Sequence, residues 1–366
     1  MDFDGPGGGP QSLITQLETL KHRYVQSVAY GGKGRLAAYC EEHKIPHYQL
    51  LFHRKWLLWI GALQLWFTLI RLRPDILILH SPMTGALGAV LGWMARVPRR
   101  VYIARWPTFY ANFDLLRCIR NHAAQYFVCR FSHRIICLTE SSRYQYLIRR
   151  AAPDERFVVV PNAMTFAGAP KPERVEALRK QYGFDRHTYN VVSIGRLYEQ
   201  KRIDWLLTSW QRVIQSEPNA HLWIVGHGPK RDEWHRLAES LQIQERITWI
   251  EKQDFTGAEF IAAGDIFVHT ALFETFGNVI LEAMQAGIPI TATDVDGPKN
   301  IVTNDHEGFL TPPGEPDAFA DALLRLMAQP ELRKRFGQAG LETSRHYLPE
   351  RIAPRLLAAL EFKAGE

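Results

Sequence analysis

Two glutamates eight positions apart are the residues of this chain whose types and spacing best suit chemistry. Glu274 and Glu282 lie between apolar, strand-like runs. The pattern predicts a helix over residues 277–286 that ends at Gly287, since glycine favours helix C-termini. Glu274 then precedes the helix and Glu282 lies about two turns inside it. The first amides of a helix attract phosphate, and two flanking carboxylates would accept hydrogen bonds from a sugar and a ribose. The alternative is a capped amphipathic helix with a solvated glutamate.

Two cations follow another strand-like run in the same half of the chain. Residues 192–194 lead into Gly195 and Arg196, and Lys201 follows five positions later. Both cations can reach one diphosphate, Arg196 as a bidentate fork and Lys201 as a point charge. Such contacts also stabilise a diphosphate that gains charge as its bond breaks. The alternative is a surface pair of cations at a helix start.

Strand-like and helical segments alternate along the whole chain, which predicts an α/β fold with parallel sheets and right-handed crossovers. Two such sheets would form two Rossmann-like, doubly wound domains that face a central cleft. The strand-like runs of the first half are 24–30, 48–52, 75–80, 100–104, 134–138 and 156–160. Those of the second half are 190–194, 221–225, 247–250, 266–270, 289–292 and 308–310.

Length, composition and charge indicate a globular protein of two domains. The chain has 366 residues, 46% of them hydrophobic and 22% charged. We predict domains over residues 1–162 and 163–345, with a last helix in 346–366 that packs back toward the first. Residues 1–162 carry 21 Lys/Arg and 10 Asp/Glu, whereas residues 163–366 carry 23 and 28. We therefore expect only the basic half to bind an anionic partner. Because the sequence contains no nucleic-acid-binding motif, we expect that partner to be a membrane surface.

An uncharged stretch in the basic half favours the membrane as that partner. Residues 56–70 contain three tryptophans, and Lys55 and Arg71 flank them. Fifteen residues are too few to span a bilayer, which takes about 20. The pattern is typical of a helix that lies among lipid headgroups. A helix buried against the sheet is the alternative.

The remaining composition predicts a cytoplasmic location. The N-terminus is acidic and rich in glycine, unlike a signal peptide. The four cysteines lack metal-binding spacing, so we expect reduced, buried thiols. Asp294 and Asp296 imitate a metal-binding DxD pair, but they lie in a Gly-Pro turn. We therefore expect no metal and no cofactor.

Taken together, these motifs resemble the retaining glycosyltransferases of family 4, the group 1 glycosyltransferases, which have the GT-B fold. The match is strongest over residues 157–345 and looser before them. The matching segments are, in chain order, Pro161-Asn162, Gly195-Arg196 with Lys201, Val225-Gly226-His227-Gly228-Pro229, Glu274-Thr275-Phe276-Gly277, Glu282-Ala283-Met284, Gly287-Ile288-Pro289 and Glu307-Gly308-Phe309-Leu310.

The resemblance implies a role for each matching residue. Arg196 and Lys201 would bind the donor diphosphate, Glu282 the ribose, and Glu274 the hydroxyls of the transferred sugar. Further donor contacts would come from Gly195, Gly226, Glu251, Lys252, Phe276, Gly277, Asn278 and Val279. His227 is more typical of a turn residue than of a base. The first domain would bind the acceptor and the membrane.

Two departures from the family pattern concern the donor and acceptor sides. Asn300 stands where a glutamate is usual. Arg105 replaces a usual histidine and would bind a phosphate or pair at the rim of the cleft. Gly8 and Gly9 belong to a Gly-rich segment that starts at Gly5 and is expected to form a loop, and we assign both to the acceptor or phosphate side. His80, at a strand end, would line the acceptor side or serve as a structural histidine.

The first strand of the family's first sheet is also expected to be incomplete. Only residues 1–4 precede the Gly-rich loop, and two of them are aspartates. Interior strands of a parallel sheet usually need five or six apolar residues. We therefore expect residues 5–10 to be poorly fixed, together with a missing upstream segment or a gap in the sheet.

The resemblance implies a metal-independent hexosyltransferase that retains anomeric configuration. The donor would be a nucleotide sugar, a UDP-sugar rather than a GDP-sugar. The acceptor would be a lipid-linked glycan or polysaccharide precursor of surface polysaccharide such as lipopolysaccharide. The enzyme would be cytoplasmic and peripheral on the inner face of the cytoplasmic membrane. A nucleotide-sugar epimerase of the same fold, or a non-catalytic nucleotide-sugar or membrane-binding protein, are the alternatives.

Overall fold

The structure is a computed structural model that describes residues 8–32, 34–52, 57–105, 115–164, 170–251 and 254–362. The chain forms two compact units, one of residues 1–165 with 349–366 and one of residues 166–348. Both units contain parallel β-strands joined through helices, so the predicted α/β class is confirmed. Residues 1–4, for which we expected an incomplete strand, lie outside the described residues.

The first unit contains two parallel sheets. Strands β1 (Val28–Tyr30) and β2 (His47–Gln49) pair with each other. Four further strands form the larger sheet in the order β3-β4-β5-β6. They are β3 (Ile76–Leu79), β4 (Arg99–Ala104), β5 (Arg134–Cys137) and β6 (Phe157–Val159). Among the described strands, no ladder joins the two sheets.

Among the described residues, one helix precedes these strands and five connect them. They are, in chain order, α1 (Gly8–Leu20), α2 (Arg35–Glu42), α3 (Leu58–Leu72), α4 (Pro82–Met94), α5 (Leu115–Phe131) and α6 (Glu140–Ile148). Helix α1 begins at Gly8, so the expectation that Gly8, Gly9 and Pro10 belong to a poorly fixed loop is wrong. Helices tolerate proline in their first turn, because the first amides have no partner inside the helix. Helix α4 packs between α3 and α5.

Helix α3 shows both features that the sequence left open. Gly61, Leu65 and Leu69 face the interior, while Trp59 and Phe67 on the other side are 64% and 67% exposed. The helix therefore contributes to the core and still presents an apolar face. Among the helices of the described residues, none combines the length and apolar character needed to cross a bilayer.

The second unit contains one six-stranded parallel sheet in the order β12-β11-β10-β7-β8-β9. Its strands are β7 (Tyr189–Ile194), β8 (Ala220–Val225), β9 (Ile247–Ile250), β10 (Ile266–His269), β11 (Ile290–Thr293) and β12 (Gly308–Thr311). The central strands are buried and apolar, which is why they could be recognised from the sequence.

Seven helices surround this sheet: α7 (Pro172–Tyr182), α8 (Ile203–Ser216), α9 (Arg231–Ser240), α10 (Gly257–Ala263), α11 (Asn278–Gln285), α12 (Pro316–Ala328) and α13 (Pro330–Ser344). Trp210 of α8 and Phe336 of α13 are fully buried in the core on one side of the sheet. Helix α11 is the helix predicted over residues 277–286, which contains Glu282. It ends at Gln285, two residues before Gly287, whose φ of 68° suits a glycine.

The last helix, α14 (Pro349–Leu360), belongs to the first unit. Arg355 of α14 donates a hydrogen bond to the carbonyl of Val159 at the end of β6, with a distance of 3.0 Å. Arg23, after α1, forms an ion pair of 2.8 Å with Glu361. The Phe362 ring lies under the Arg134 guanidinium at 4.6 Å. These contacts attach the C-terminal segment to the first unit.

The cysteines are free thiols. Cys40, Cys129 and Cys137 are buried as expected, but Cys118 is partly exposed on α5.

Candidate active site

The order of strands in the second unit defines where a ligand should bind. The chain starts the sheet at β7, adds β8 and β9 on one side, and then crosses over to add β10 on the other. Helix connections leave β7 and β10 in opposite directions, which opens a crevice beyond their carboxyl ends. Gly195 and Arg196 follow β7, and His269 ends β10. With Lys201 and Thr270, these residues line one small cavity.

Lys201 and Glu274 meet at this crevice. Lys201 Nζ lies 2.7 Å from Glu274 Oε2, and the two side chains are only 14% and 17% exposed. The backbone around them is also joined, since Thr270 Oγ1 donates to the Lys201 carbonyl at 3.1 Å. The amide of Leu272 donates to the Gln200 carbonyl at 2.8 Å. The loops that follow β7 and β10 therefore hold one ion pair in a fixed place.

His269 is a third member of this cluster. Its side chain is 3% exposed, and its Nε2 lies 3.5 Å from Glu274 Oε2, at the outer limit of a hydrogen bond. Burial and the Lys201 charge lower the pKa of His269, so the imidazole is neutral at pH 7. Burial alone would raise the pKa of the Glu274 carboxyl, but Lys201 and His269 outweigh it and hold the pKa well below its usual range. Glu274 is therefore a carboxylate that accepts hydrogen bonds.

Helix α11 begins four residues after Glu274. Its N-cap residue is Gly277 with φ of 95°, a conformation that disfavours residues with a Cβ. Gly277 has no side chain to cap the helix, and the first turn of a helix is a favourable place for an anion. The Gly297 amide donates to the Glu274 carbonyl at 2.7 Å and fixes the approach to the helix.

Glu282 lies inside α11 in a different environment. Burial raises the pKa of its carboxyl to about 7. Its Oε2 lies 3.4 Å from the position that a Cβ on Gly257 would take, beside the start of α10. Among the described residues, no cation pairs with this carboxyl. A ligand that donates hydroxyl hydrogen bonds would stabilise its ionised form.

Two glycine turns build the other wall of the crevice. A Cβ on Gly226 would lie 1.9 Å from the Gly195 carbonyl oxygen, so only glycine allows this approach. The Leu197 amide donates to the His227 carbonyl at 2.8 Å, which makes His227 a turn residue with an exposed ring. Arg196 is exposed, and its guanidinium lies 5.2 Å from the Tyr198 ring centroid. Arg196 can therefore move toward a ligand without breaking a buried ion pair.

The remaining predicted donor residues lie near these turns or outside the described residues. Glu251 follows β9 and pairs with Arg231. The Gly226 amide donates to the carbonyl of Ile250, directly before Glu251, at 2.8 Å. Lys252 lies outside the described residues. Phe276 is buried and packs edge-on against Tyr347, with ring centroids 6.0 Å apart.

The Asp-x-Asp sequence occupies a turn. Asp296 pairs with Lys299 at 3.3 Å, and Asn300 donates to the Asp296 carbonyl. The Asp294 amide donates to the Thr311 carbonyl at 2.7 Å. In the part of the chain that the structure describes, no three His, Cys, Asp or Glu side chains are grouped to hold a metal ion.

In the first unit, Arg105 joins three separate segments. Its Nε donates to His80 Nδ1 at 3.2 Å, and its terminal nitrogens donate to Asn162 Oδ1 and Gln16 Oε1, each at 2.9 Å. Burial lowers the pKa of Arg105 to about 10, which leaves it charged at pH 7. Burial and the Arg105 charge hold the pKa of His80 well below its usual value.

Neither interpretation of Arg105 anticipated these partners. All three acceptors are neutral, and among the described residues no carboxylate pairs with Arg105. His80, as an acceptor, supports the guanidinium. Gly8 and Gly9, predicted on the acceptor or phosphate side, lie in the first turn of α1, the helix that also carries Gln16.

Sequence reasoning missed His269 and Gln16. His269 ends a buried strand five residues before Glu274, and that position could have suggested contact with the carboxylate. Gln16 carries no comparable signal, because its role depends on where α1 packs.

Two family models together match most of the chain. The family model described as "Glycosyl transferases group 1" matches residues 174–343. The model described as "Glycosyltransferase Family 4" matches residues 6–165. The chain belongs to the group 1 glycosyltransferases.

Two curated relatives of this glycosyltransferase are named as glycosyltransferases of bacteria. The lipopolysaccharide core biosynthesis glycosyltransferase LpsE of Rhizobium meliloti is 35% identical over 153 residues, 42% of this chain and 44% of LpsE. The Escherichia coli UDP-Gal:alpha-D-GlcNAc-diphosphoundecaprenol alpha-1,3-galactosyltransferase is 24% identical over 69% of this chain and 66% of that protein. The chain thus spans less than half of LpsE and about two thirds of the galactosyltransferase.

Solved structures establish the fold of the glycosyltransferase. Anabaena HepE, solved in complex with UDP-glucose, aligns with a TM-score of 0.85 at 22% identity, over 97% of this chain and 96% of HepE. WaaG, a glycosyltransferase involved in lipopolysaccharide biosynthesis, aligns with a TM-score of 0.74 at 19% identity, over 99% and 98% of the two chains. The fold is GT-B, as the sequence predicted.

Proposed function

We propose that this glycosyltransferase transfers a hexose from a nucleotide diphosphate sugar to a lipid-linked glycan or polysaccharide precursor, with retention of configuration, in the synthesis of cell-surface glycans. The observation that carries the proposal is the buried contact of 2.7 Å between Lys201 and Glu274 at the sheet's switch point. It places a cation for phosphate beside a carboxylate for sugar hydroxyls, in the crevice where α/β sheets bind ligands.

Each described group then has a task. Lys201 and the exposed Arg196 bind the diphosphate, and the N-terminal end of the α11 dipole adds to its stabilisation as it leaves. Glu274, with its depressed pKa, accepts hydrogen bonds from the hexose and cannot supply a proton at neutral pH. Glu282 accepts hydrogen bonds from the ribose hydroxyls. These bonds would stabilise the ionised form of its buried carboxyl.

The reaction proceeds on one face of the sugar. The bond from the anomeric carbon to the diphosphate oxygen breaks while the acceptor oxygen bonds to that carbon from the same side. The acceptor proton moves to an oxygen of the departing diphosphate. No enzyme carboxylate acts as nucleophile, because both are assigned to hydroxyl contacts. The protein contributes orientation and charge stabilisation, and no metal is needed.

The donor and acceptor classes follow from the relatives. HepE was solved with UDP-glucose, and the E. coli relative is named for a UDP-galactose donor and a diphosphoundecaprenol acceptor. We therefore favour a UDP-sugar over a GDP-sugar, and an acceptor on a polyprenyl diphosphate. Such an acceptor requires the enzyme to work peripherally at the inner face of the cytoplasmic membrane.

The test combines a thermal-shift screen with a transfer assay. A donor at 100 times its dissociation constant should stabilise the protein by about 2.7 kcal/mol, and we expect UDP-sugars to do so before GDP- or ADP-sugars. Turnover should then require a lipid-linked acceptor, and NMR of the product should show the donor's anomeric configuration. Conversion of the donor sugar without acceptor would identify an epimerase instead. Binding without any turnover would identify a non-catalytic protein.

A further inference from the structure

Exposed apolar side chains are concentrated on three neighbouring helices of the first unit. Thirteen of the 19 large hydrophobic side chains that are exposed among the described residues belong to α3, α4 and α5. Single exposed hydrophobic residues are ordinary on protein surfaces, but a contiguous group marks an interaction site. A binding partner would explain why the exposed apolar side chains are grouped on these three helices.

The outer side of α3 forms one stripe along the helix. Trp59, Leu63, Phe67 and Ile70 are 64%, 48%, 67% and 44% exposed, and their spacing places them on one face. The opposite face, with Leu65 and Leu69, already packs into the core. Folding within the first unit therefore does not cover the exposed stripe.

Helix α5, which the sequence did not single out, presents a second stripe. Leu116, Ile119 and Phe127 are 79%, 58% and 46% exposed. Helix α4 lies between the two stripes and exposes Trp93 and Met94.

Ring contacts make this surface continuous from α4 to α5. The Trp93 ring lies 5.3 Å from that of Phe131, and Phe131 lies 6.3 Å from Phe127. We call the outer surfaces of α3, α4 and α5 the apolar face.

The charged residues of the three helices are all basic. The three helices contain no aspartate or glutamate. Six exposed arginines lie on them or directly after them: Arg71, Arg73, Arg96, Arg117, Arg120 and Arg130. A second protein copy would bring the same positive charge to the contact. Apolar side chains rimmed by cations instead complement a bilayer with anionic headgroups.

We infer that the apolar face docks the enzyme on an anionic phospholipid bilayer, with all three helices in contact. The aromatic and aliphatic stripes would enter the headgroup region, while the arginine side chains extend toward the lipid phosphates. The inference deepens the proposed function, because a lipid-linked acceptor is presented at such a surface. It differs from the expectation based on α3 alone, since α4 and α5 carry seven of the thirteen exposed apolar side chains.

The experiment is vesicle flotation of the full chain without donor or acceptor. Vesicles of phosphatidylcholine alone are compared with vesicles that contain about 30% phosphatidylglycerol, at about 0.1 and 0.5 M salt. We expect binding to the anionic vesicles that weakens with salt. The variants Leu63→Gln/Phe67→Gln on α3 and Ile119→Gln/Phe127→Gln on α5 should each lower the partition coefficient about tenfold. A matched control, Val25→Gln/Leu348→Gln, replaces exposed apolar residues elsewhere and should bind like wild type.

Three results would overturn the inference. Wild-type flotation by the α5 variant would remove α5 from the contact, and wild-type flotation by both variants would exclude the whole apolar face. Concentration-dependent dimerisation that the same substitutions abolish would identify a second copy as the occupant. Circular dichroism and UDP affinity, measured in parallel, should not change in these surface variants. Failure of UDP to bind any variant or wild type would instead count against the proposed function.

Discussion

His269 Nε2, at the end of β10, and Lys201 Nζ, in the segment after β7, approach the same oxygen of Glu274 at 3.5 and 2.7 Å. One oxygen thus has a charged partner and a neutral one, while the Thr275 amide donates to the other oxygen at 3.2 Å. The carboxylate is oriented before any sugar arrives, and this preorganisation lowers the cost of positioning the donor.

Replacement of Glu274 should separate catalysis from nucleotide binding. Glu274→Gln removes the charge that we assign to sugar hydroxyls, so kcat should fall by about 100-fold or more. The affinity for UDP should change little, because UDP carries no hexose. Steady-state kinetics with isothermal titration of UDP measure both quantities. Unchanged turnover would show that Glu274 does not contact the transferred sugar.

Replacement of His269 should lower activity through Glu274. His269→Ala frees one side of the carboxylate, and we expect kcat to fall roughly 10- to 100-fold without a change in UDP affinity. His269→Gln, which restores a donor near the same place, should recover part of the loss. If alanine and glutamine variants lost equal activity together with their thermal stability, His269 would serve packing alone.

Glu282 should make stability depend on pH. Its pKa is raised to about 7, so between the unfolded pKa and pH 7 the native state holds more protons than the unfolded state. The free energy of unfolding must therefore fall as pH rises through this window. Glu282→Gln removes the effect, so at pH 8 the variant should be more stable than wild type by roughly 2–3 kcal/mol, with little difference at pH 5.

Urea denaturation at the two pH values measures this difference, and Glu239→Gln on the exposed side of α9 is the control. The same Glu282 variant should bind UDP more weakly by about 1.5–3 kcal/mol, the value of hydrogen bonds to a charged group. If Glu282→Gln lost equal stability at both pH values, Glu282 would not be a buried, unpaired carboxyl.

Arg105 should stabilise the first unit through its three hydrogen bonds. Arg105→Lys keeps the charge but cannot donate to Gln16, His80 and Asn162 together, so the free energy of unfolding should fall by about 1–3 kcal/mol. Arg117→Lys, at an exposed position of α5, should change it by less than about 0.5 kcal/mol. Equal effects of the two substitutions would show that the three hydrogen bonds do not contribute to stability.

Chelation should leave turnover intact. Asp296 is paired with Lys299, and Lys201, Arg196 and the N-terminal end of the α11 dipole can balance the diphosphate charge. Transfer rates with excess EDTA and with added Mg²⁺ or Mn²⁺ should therefore agree. A rate that falls with EDTA and returns with one cation would assign that cation a part in diphosphate binding.

Much of the fold could be predicted because buried parallel strands are short apolar runs, and β9 has the predicted bounds. The contact between Lys201 and Glu274 could not be predicted from local pattern. The two residues are 73 positions apart, and they meet only because β10 crosses over to lie beside β7. The glycines near the N-terminus misled for the opposite reason. Local composition indicated a loop, whereas packing of α1 against the first unit produces a helix.

The return of helix α14 to the first unit means that the chain passes between the units twice. Cleavage at either passage alone would leave the first unit divided between two pieces of polypeptide. A fragment that ends near residue 162 would lack α14, and with it Ile352 and Leu356, which line the cavity beside Arg105. The two units are therefore each compact, but cutting the chain at one point does not separate them. An independent first unit would require a permuted chain, in which residues 349–362 are joined ahead of α1.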